Sequence, residues 1–307
     1  MDISIIIPAY NEERNVHPLH DKISDVLTNI DCSYEIIFIN DGSTDETENS
    51  ILDIIQSDKN VKLISFSRNF GHMAALIAGY QFCKGDAAIT IDCDLQHPPE
   101  LIIELLNTWK NGYDIVNTIR KDISRKDFFK KITSKYYYKL FSWVSGFPLE
   151  AGSADYRLVS RKVINEFNVL EEQEVFFRGM VHWFGFKSIS VSYIANPRYS
   201  GATKYNLKKM LQLATNGITS FSIKPLQMVT LMGFLVSGLT FIYMIYTMYY
   251  ALFLKETVSG WTSLMLSVLF LGGIQLISIG VLGEYIGKIF METKNRPRFI
   301  INFRKGI

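Results

Sequence analysis

An apolar run from Ala87 to Ile91 ends in Asp92, Cys93 and Asp94. Short runs of apolar and β-branched residues predict a buried strand. Asp92 and Asp94 stand two apart, and in extended backbone such side chains project to the same side. Two carboxylates so placed repel each other unless a cation, a proton or a cationic side chain lies between them. Beyond the carboxyl end of a strand in an open α/β sheet lies the usual ligand crevice. The pair therefore predicts a site for a divalent metal that carries a phosphate; the plainer reading is a strand exit with two solvated acids. Mg²⁺ is typically held by one or two carboxylates plus phosphate oxygens and waters. That suits Asp94, with Gln96 on the same side as an amide-oxygen donor. His97 reads as a loop residue rather than a ligand. Asp41, just before Gly42, suits a base or ribose contact, although a turn residue before glycine would also account for it. No G-x-G-x-x-G follows the first apolar run, and no G-x-x-x-x-G-K-S/T occurs. Phosphate binding by a glycine loop is thus unsupported, and a metal-borne diphosphate is the remaining option.

These residues need elements to hold them. Ile3–Pro8, Tyr34–Asn40, Val61–Ser65, Ala87–Ile91 and Asp114–Thr118 read as five strands. Between them, Asn11 can cap a helix with Glu12 and Glu13 in its first turn. Ser43-Thr44-Asp45-Glu46 reads as a capping box, Asn69 to Phe82 as a helix, and Pro99–Asn111 as a helix with Pro and Glu in its first turn. Such alternation predicts a parallel sheet covered by helices on both faces. The loops around Tyr10 to Glu12, Asp41 to Ser43 and Asp92 to Asp94 then line one edge of that sheet.

The formal net charge of +2 gives no reason to expect a nucleic acid partner. Three cysteines, Cys32, Cys83 and Cys93, match no zinc spacing and read as reduced thiols of a cytosolic compartment. The amino terminus starts on a strand-like run without a basic leader, which predicts no signal peptide. Composition changes after residue 205. Leu226 to Leu254 and Ser263 to Gly283 hold no charged residue, and each is long enough for a bilayer core, which takes about 20 residues. The expected organisation is a catalytic domain over 1–205, a juxtamembrane amphipathic helix over 206–225, and transmembrane helices over 226–254 and 263–283. An outer loop at 255–262 and a tail at 284–307 complete it. Lys255 is the one basic residue of the loop, whereas Lys204, Lys208, Lys209 and Lys224 precede the spans and Lys288, Lys294, Arg296, Arg298, Arg304 and Lys305 follow them. Basic flanks face the cytoplasm, so the soluble domain and both termini are expected there. Arg120 to Lys139, rich in Lys and Arg, reads as a solvated helical face or an interfacial helix.

Several segments together resemble a known family. Pro8-Ala9-Tyr10-Asn11-Glu12-Glu13, Asn40-Asp41-Gly42-Ser43, Asp92-Cys93-Asp94-Leu95-Gln96 and Pro98-Pro99-Glu100 are similar to the motifs of the GT-A-fold family 2 glycosyltransferases. Ser67-Arg68-Asn69-Phe70-Gly71, Asp155-Tyr156-Arg157-Leu158, Gly217-Ile218-Thr219-Ser220-Phe221 and the stretch Gly280 to Gly287 narrow the resemblance to polyprenyl-phosphate glycosyltransferases. Within these, the bactoprenol (undecaprenyl-phosphate) glucosyltransferases of O-antigen modification are most similar. The resemblance implies an α/β GT-A fold, Rossmann-like with a mainly parallel sheet, followed by amphipathic interfacial helices and two transmembrane helices. It implies that Pro8, Tyr10, Glu12, Asp41, Asp92 and Asp94 hold the nucleotide-sugar, and that Asp94 with Gln96 binds Mg²⁺ or Mn²⁺. It implies that Asp155 matches the family's proposed base, and that Arg198 and Lys204 belong to a mobile basic loop closing over phosphates. Arg198 and Lys204 also suit a juxtamembrane patch attracted to anionic lipid. The family often has Ala or Val where Cys93 stands; that side chain is expected to point away from the metal.

The expected activity is an inverting transfer of a sugar from a UDP-sugar, UDP-glucose first, to undecaprenyl phosphate. The product would serve O-antigen or cell-envelope glycan modification at a bacterial inner membrane, with a flippase and a periplasmic transferase acting later in the pathway. A homo-oligomer is a further expectation. The rival readings are the same chemistry with N-acetylglucosamine, galactose or aminoarabinose, a processive synthase, a carrier, or a non-catalytic adaptor. No tryptophan follows an arginine as in Q-x-x-R-W, which counts against the synthase. An acceptor phosphate is mostly dianionic at neutral pH, its second pKa being about 6, so Asp155 is expected to orient the acceptor or the sugar rather than to remove a proton.

Overall fold

The computed structural model describes residues 1–28, 30–121, 142, 152–173, 175–196, 219, 222–249, 253 and 260–307. Arg198, Lys204, most of the Arg120–Lys139 segment, most of 206–225 and residues 255–259 of the outer loop lie outside the described residues.

The first half alternates as its apolar periodicity requires. In order come β1 (Ile3–Ala9), α1 (Val16–Thr28), β2 (Tyr34–Asn40), α2 (Thr47–Ser57), β3 (Val61–Phe66) and α3 (His72–Phe82). Then follow β4 (Ala87–Thr90), α4 (Leu101–Lys110), β5 (Ile115–Arg120), β6 (Ser153–Ser160), α5 (Arg161–Val169), α6 (Phe177–Trp183) and β7 (Ser188–Tyr193). Two long helices, α7 (Lys224–Tyr249) and α8 (Trp261–Thr293), precede a last strand, β8 (Ile301–Lys305).

The eight strands form one sheet in the order β7-β5-β6-β4-β1-β2-β3-β8. β3, β2, β1 and β4 are mutually parallel, with Ile3 opposite Tyr34 on one side and opposite Ala87 on the other. Every residue of β1 is buried, as a parallel strand covered on both faces must be. Ile3, Ile5 and Ile7 face the core shared with α1, α2 and α4. Ile6 faces the other way, onto α3, where a Cβ on Gly79 would lie 2.2 Å from its side chain. Glycine there lets helix and strand approach closely. β6 lies antiparallel between β4 and β5, and β8 runs antiparallel along β3. The expected core of parallel strands is therefore present, flanked by antiparallel members.

Several local expectations differ from the outcome. Asn11 caps no helix: its φ is +54° and α1 begins at Val16. Its side chain instead accepts the Thr44 N–H at 2.9 Å, a longer-range bond that outcompetes a local cap. Ser43 forms no capping box, because its hydroxyl accepts the Asn11 N–H; α2 starts at Thr47, whose N–H and hydroxyl both donate to Asp45 Oδ1. Pro98 and Pro99 precede α4 and lend their carbonyls to its first N–H groups, Leu101 and Ile102. The segment expected as a tail contains the end of α8 and the strand β8.

The described residues group into two compact units. Arg296–Ile307 belongs with the sheet domain, while α7 and α8 form the second unit. With 26 and 33 residues, both helices are long and apolar enough to cross a bilayer. Phe234, Leu239, Leu276 and Ile277 stand outward on them, each about 70% exposed. Such contiguous apolar surface marks a membrane or partner contact rather than a water-facing one. Within this unit the Tyr285 hydroxyl donates to the Ser222 carbonyl at 2.6 Å.

Candidate active site

The strand order fixes where a site can form. The chain winds from β1 to β2 to β3, then returns to lay β4 on the other side of β1. That reversal leaves a crevice at the carboxyl ends of β1 and β4, the usual ligand position of such sheets. Pro8 lies within β1, and Tyr10 and Glu12 follow that strand directly. Asp41 follows β2, and Asp92, Asp94 and Gln96 follow β4.

The loops after β1 and β2 are laced together. Asn11 and Glu12 donate their N–H groups to the Ser43 and Thr47 hydroxyls at 3.0 and 2.8 Å. The Glu12 carboxylate accepts the Asn15 amide at 2.5 Å. Asp41 is 3% exposed, and its N–H donates to the Ala9 carbonyl. Its carboxylate accepts the Phe70 N–H at 2.7 Å, the Gly71 N–H at 2.9 Å and the Asn69 amide at 3.0 Å. Burial pushes the Asp41 carboxyl up, opposed by the Phe70 and Gly71 N–H groups and by the nearby His72 and Arg68. Asp41 thus shapes the loop after β3 and sets the start of α3. Gly42, at φ +64°, lies against the Arg68 backbone, where a Cβ would come within 2.2 Å of the carbonyl carbon.

Asp92 and Asp94 do not share the face of a strand. β4 ends at Thr90, and Leu95 takes φ +61°, so the acidic pair lies in a tight turn. Asp94 is 9% exposed, and its Oδ1 accepts the Gln96 N–H at 3.1 Å. Asp92 is more open and donates its N–H to His97 Nδ1 at 3.2 Å. That bond directs the other ring nitrogen of His97 to within 3.8 Å of Asp92 Oδ2. His97 is a buried strut, stacked on Tyr156 with ring centroids 5.0 Å apart. Cys93 packs into the core. The Gln96 side-chain oxygen accepts from Arg120 at 3.4 Å. Among the described residues no group of three or more His, Cys, Asp or Glu forms a metal cage. Two carboxylates and an amide on one short turn instead fit a hard cation completed by phosphate oxygens and water.

Asp155 reaches the crevice because β6 pairs with β4, with Thr90 opposite Arg157. Its Oδ1 accepts from Arg157 Nη2 at 3.1 Å and from Arg178 Nε at 3.2 Å, and its Oδ2 accepts from Arg178 Nη2 at 3.1 Å. His72 Nε2 lies 4.0 Å from Asp155 and 3.8 Å from Asp92. Burial by itself would raise the Asp155 carboxyl, but Arg178, Arg157 and His72 hold it well below the usual carboxylate range. Burial also lowers Arg157, which Asp155 in turn supports.

Sequence reasoning did not assign His72, Arg157 or Arg178. Arg157 had a signal, since it stands two residues from Asp155 on a strand. His72 directly follows the Ser67–Gly71 segment and opens α3. Arg178 had none, because only the fold brings it to Asp155 across 23 residues.

Residues 4–167 match the model of glycosyl transferase family 2, and residues 224–289 match that of the GtrB C-terminal hairpin. The bactoprenol glucosyl transferase of Shigella phage SfX is 41% identical over 99% of this chain and 100% of its own length. A prophage bactoprenol glucosyl transferase homolog of Escherichia coli (strain K12) is also 41% identical, over 98% of both chains. The uncharacterized glycosyltransferase YkcC of Bacillus subtilis is 43% identical over 99% of this chain and 94% of its own. With an acidic turn at the switch point of the sheet and a full-length match to such enzymes, the chain belongs to the family 2 glycosyltransferases and carries the GtrB-type carboxy-terminal hairpin.

Proposed function

We propose that this enzyme transfers a sugar, glucose in the first instance, from a UDP-sugar to undecaprenyl phosphate with inversion at the anomeric carbon. The observation that carries this reading is the meeting of the Asp92–Asp94 turn, His72 and Asp155 within about 4 Å steps at the carboxyl ends of β1 and β4. The names of the bactoprenol glucosyl transferases support glucose and the lipid carrier. The two apolar helices support work at a membrane.

Asp94 and Gln96, with Asp92 beside them, would hold Mg²⁺ or Mn²⁺. When bound, such a cation neutralises charge on the donor diphosphate and on departing UDP. Pro8, Tyr10, Glu12 and the loop shaped by Asp41 would receive the nucleotide. Arg198 and Lys204 would close over the phosphates. An acceptor phosphate oxygen forms the new bond to the anomeric carbon as the bond to UDP breaks. The acceptor is already mostly dianionic, its second pKa being about 6, so no proton need be removed. Asp155, held ionised by two guanidiniums, fits that chemistry as a positioning group and not as a base. The product would be a polyprenyl-phosphoryl sugar for envelope glycan modification, made on the cytoplasmic face of the inner membrane and used by a flippase and a periplasmic transferase. A homo-oligomer is part of this reading.

The test incubates the purified full chain with Mn²⁺ or Mg²⁺, undecaprenyl phosphate and a panel of labelled UDP-sugars. Label from UDP-glucose is expected in the lipid fraction and is expected to be lost in Asp94→Asn. Transfer from a different donor alone would change the sugar. No transfer from any donor would reject the proposal.

A further inference from the structure

Among the described residues, three basic side chains flank Asp155. Arg157 approaches from inside the fold with a side chain only 2% exposed, and it also donates to the Ala154 carbonyl at 3.1 Å. Arg178 arrives from α6, grips both Asp155 oxygens, and keeps 27% of its side chain exposed. His72, from the first turn of α3, stands by the same carboxylate with 38% of its side chain exposed. Among the described residues, these are the two basic side chains that flank Asp155 and also reach solvent.

The reaction makes a demand that the acids cannot meet. A phosphate monoester dianion must come within about 3–3.5 Å of the anomeric carbon, in a crevice lined by Asp92, Asp94 and Asp155. Carboxylates repel it, so cations must stand on its path. Arginine suits this because its planar fork matches phosphate oxygens. A two-point grip by Asp155 removes the side-chain freedom that such a contact would otherwise have to freeze out.

We propose that Arg178, held in place by Asp155, forms with His72 the subsite that binds the phosphate of the polyprenyl acceptor. Asp155 is then a positioning residue, and Arg178 and His72 are the groups that touch the acceptor. This rests on the transferase reading above and adds the acceptor's ligands to it.

The test uses full-length protein in lipid nanodiscs, with Arg178→Gln, Arg178→Lys and His72→Gln. Acceptor KM is measured at saturating UDP-glucose, and affinity for UDP with Mn²⁺ is measured separately by titration. Loss of a charged hydrogen bond is expected to raise the acceptor KM about 10- to 100-fold in Arg178→Gln, with UDP affinity moving less than about twofold. Arg178→Lys keeps the charge but not the fork, so a smaller rise is expected. Inorganic phosphate and a short-chain alkyl phosphate should compete with the lipid acceptor in wild type, and less well in Arg178→Gln. Weakening of the alkyl phosphate alone would assign the subsite to the lipid source rather than to free phosphate. An unchanged acceptor KM with a fallen kcat would reduce Arg178 to a support for Asp155 and overturn the proposal. An equal loss of UDP affinity would place Arg178 on the donor and overturn it as well. If Arg178→Gln does not fold, Arg178→Lys and His72→Gln decide: raised acceptor KM in both supports the subsite, and unchanged KM in both rejects it. Failure of the wild-type chain to load any polyprenyl phosphate is a different result, because it removes the transferase reading itself.

Discussion

At the scale of residues, the Asp155 cluster makes the sharpest claim about chemistry. A general base works best with a pKa near the operating pH, whereas Arg178, Arg157 and His72 hold the Asp155 carboxyl well below the usual carboxylate range. Turnover of the wild-type enzyme is therefore expected to be flat from about pH 7 to 8, where the acceptor is mostly dianionic; a rate that still tracks a protein pKa in that window would support a true base. The same pairs carry stability. Removing one partner of a buried ion pair typically costs about 3–5 kcal/mol, and Asp155→Asn leaves Arg157 buried without its carboxylate. Because folding lowers the Asp155 pKa, its contribution is present above the unfolded carboxylate value of about 3.9 and is lost as pH falls toward the native value. The gap in denaturant midpoint between wild type and Asp155→Asn should be constant from about pH 5 to 8 and should narrow below about pH 4. A gap that widens in acid would contradict this account. Asp41 teaches a related lesson, since its carboxylate is taken up by the loop after β3. Its effect on a nucleotide would pass through that loop's shape.

At the scale of elements, the decisive one is β8. It covers the edge of β3, with Leu63 opposite Lys305 and Phe66 opposite Ile301. Just before it, Phe299 stacks on Phe66 at 5.0 Å, and Phe66 meets Phe70 edge-on at 5.8 Å. Phe70 in turn donates its N–H to Asp41. Arg298 donates to the Leu170 carbonyl. The residues after the hairpin thus support the loop at the candidate nucleotide site. Removal of Arg296–Ile307 is expected to bare a strand edge, a template for aggregation, and to weaken UDP binding. The milder Phe299→Ala loses an aromatic pair, worth about 0.5–1.5 kcal/mol beyond its buried area. A thermal melt and a UDP titration on both variants check this; unchanged UDP affinity in the truncated chain would break the proposed link. The acidic turn shows the opposite case, where an element ends sooner than its sequence suggests. β4 stops at Thr90 and the left-handed Leu95 bends the chain, so the two aspartates are arranged by a turn and not by strand geometry.

At the scale of the whole molecule, the chain is a sheet domain interrupted by an apolar hairpin. Both long helices expose large apolar side chains, which water would penalise by roughly 25 cal/mol per Å². With basic residues flanking the pair and Lys255 alone between the spans, the loop is expected outside and both ends inside. Single cysteines placed at Lys255 and at Lys305 in an otherwise cysteine-free chain test this in intact cells. A membrane-impermeant thiol reagent should label the first and spare the second, and the reverse pattern would invert the topology.

Much of this was legible in the sequence, because burial leaves a period in the chain. The five strand-like runs, the acidic loops after them and the two uncharged spans depend on local apolar patterning, so β1 to β5, the crevice loops and α7 and α8 fall near their expected places. What the sequence could not state was pairing between distant segments. β6 slips antiparallel between β4 and β5, and β8 returns from beyond the hairpin to complete the edge. Arg178 and His72 reach Asp155 from separate helices. Hydrogen bonds between strands and ion pairs between side chains carry no sequence period, and they form only where the fold brings their partners together. The amino-acid sequence by itself determined that this protein has acidic loops on an α/β sheet and a pair of apolar spans. Only the tertiary structure decided that Arg178 and His72 join Arg157 beside Asp155, because those two come from helices that folding alone brings next to β6.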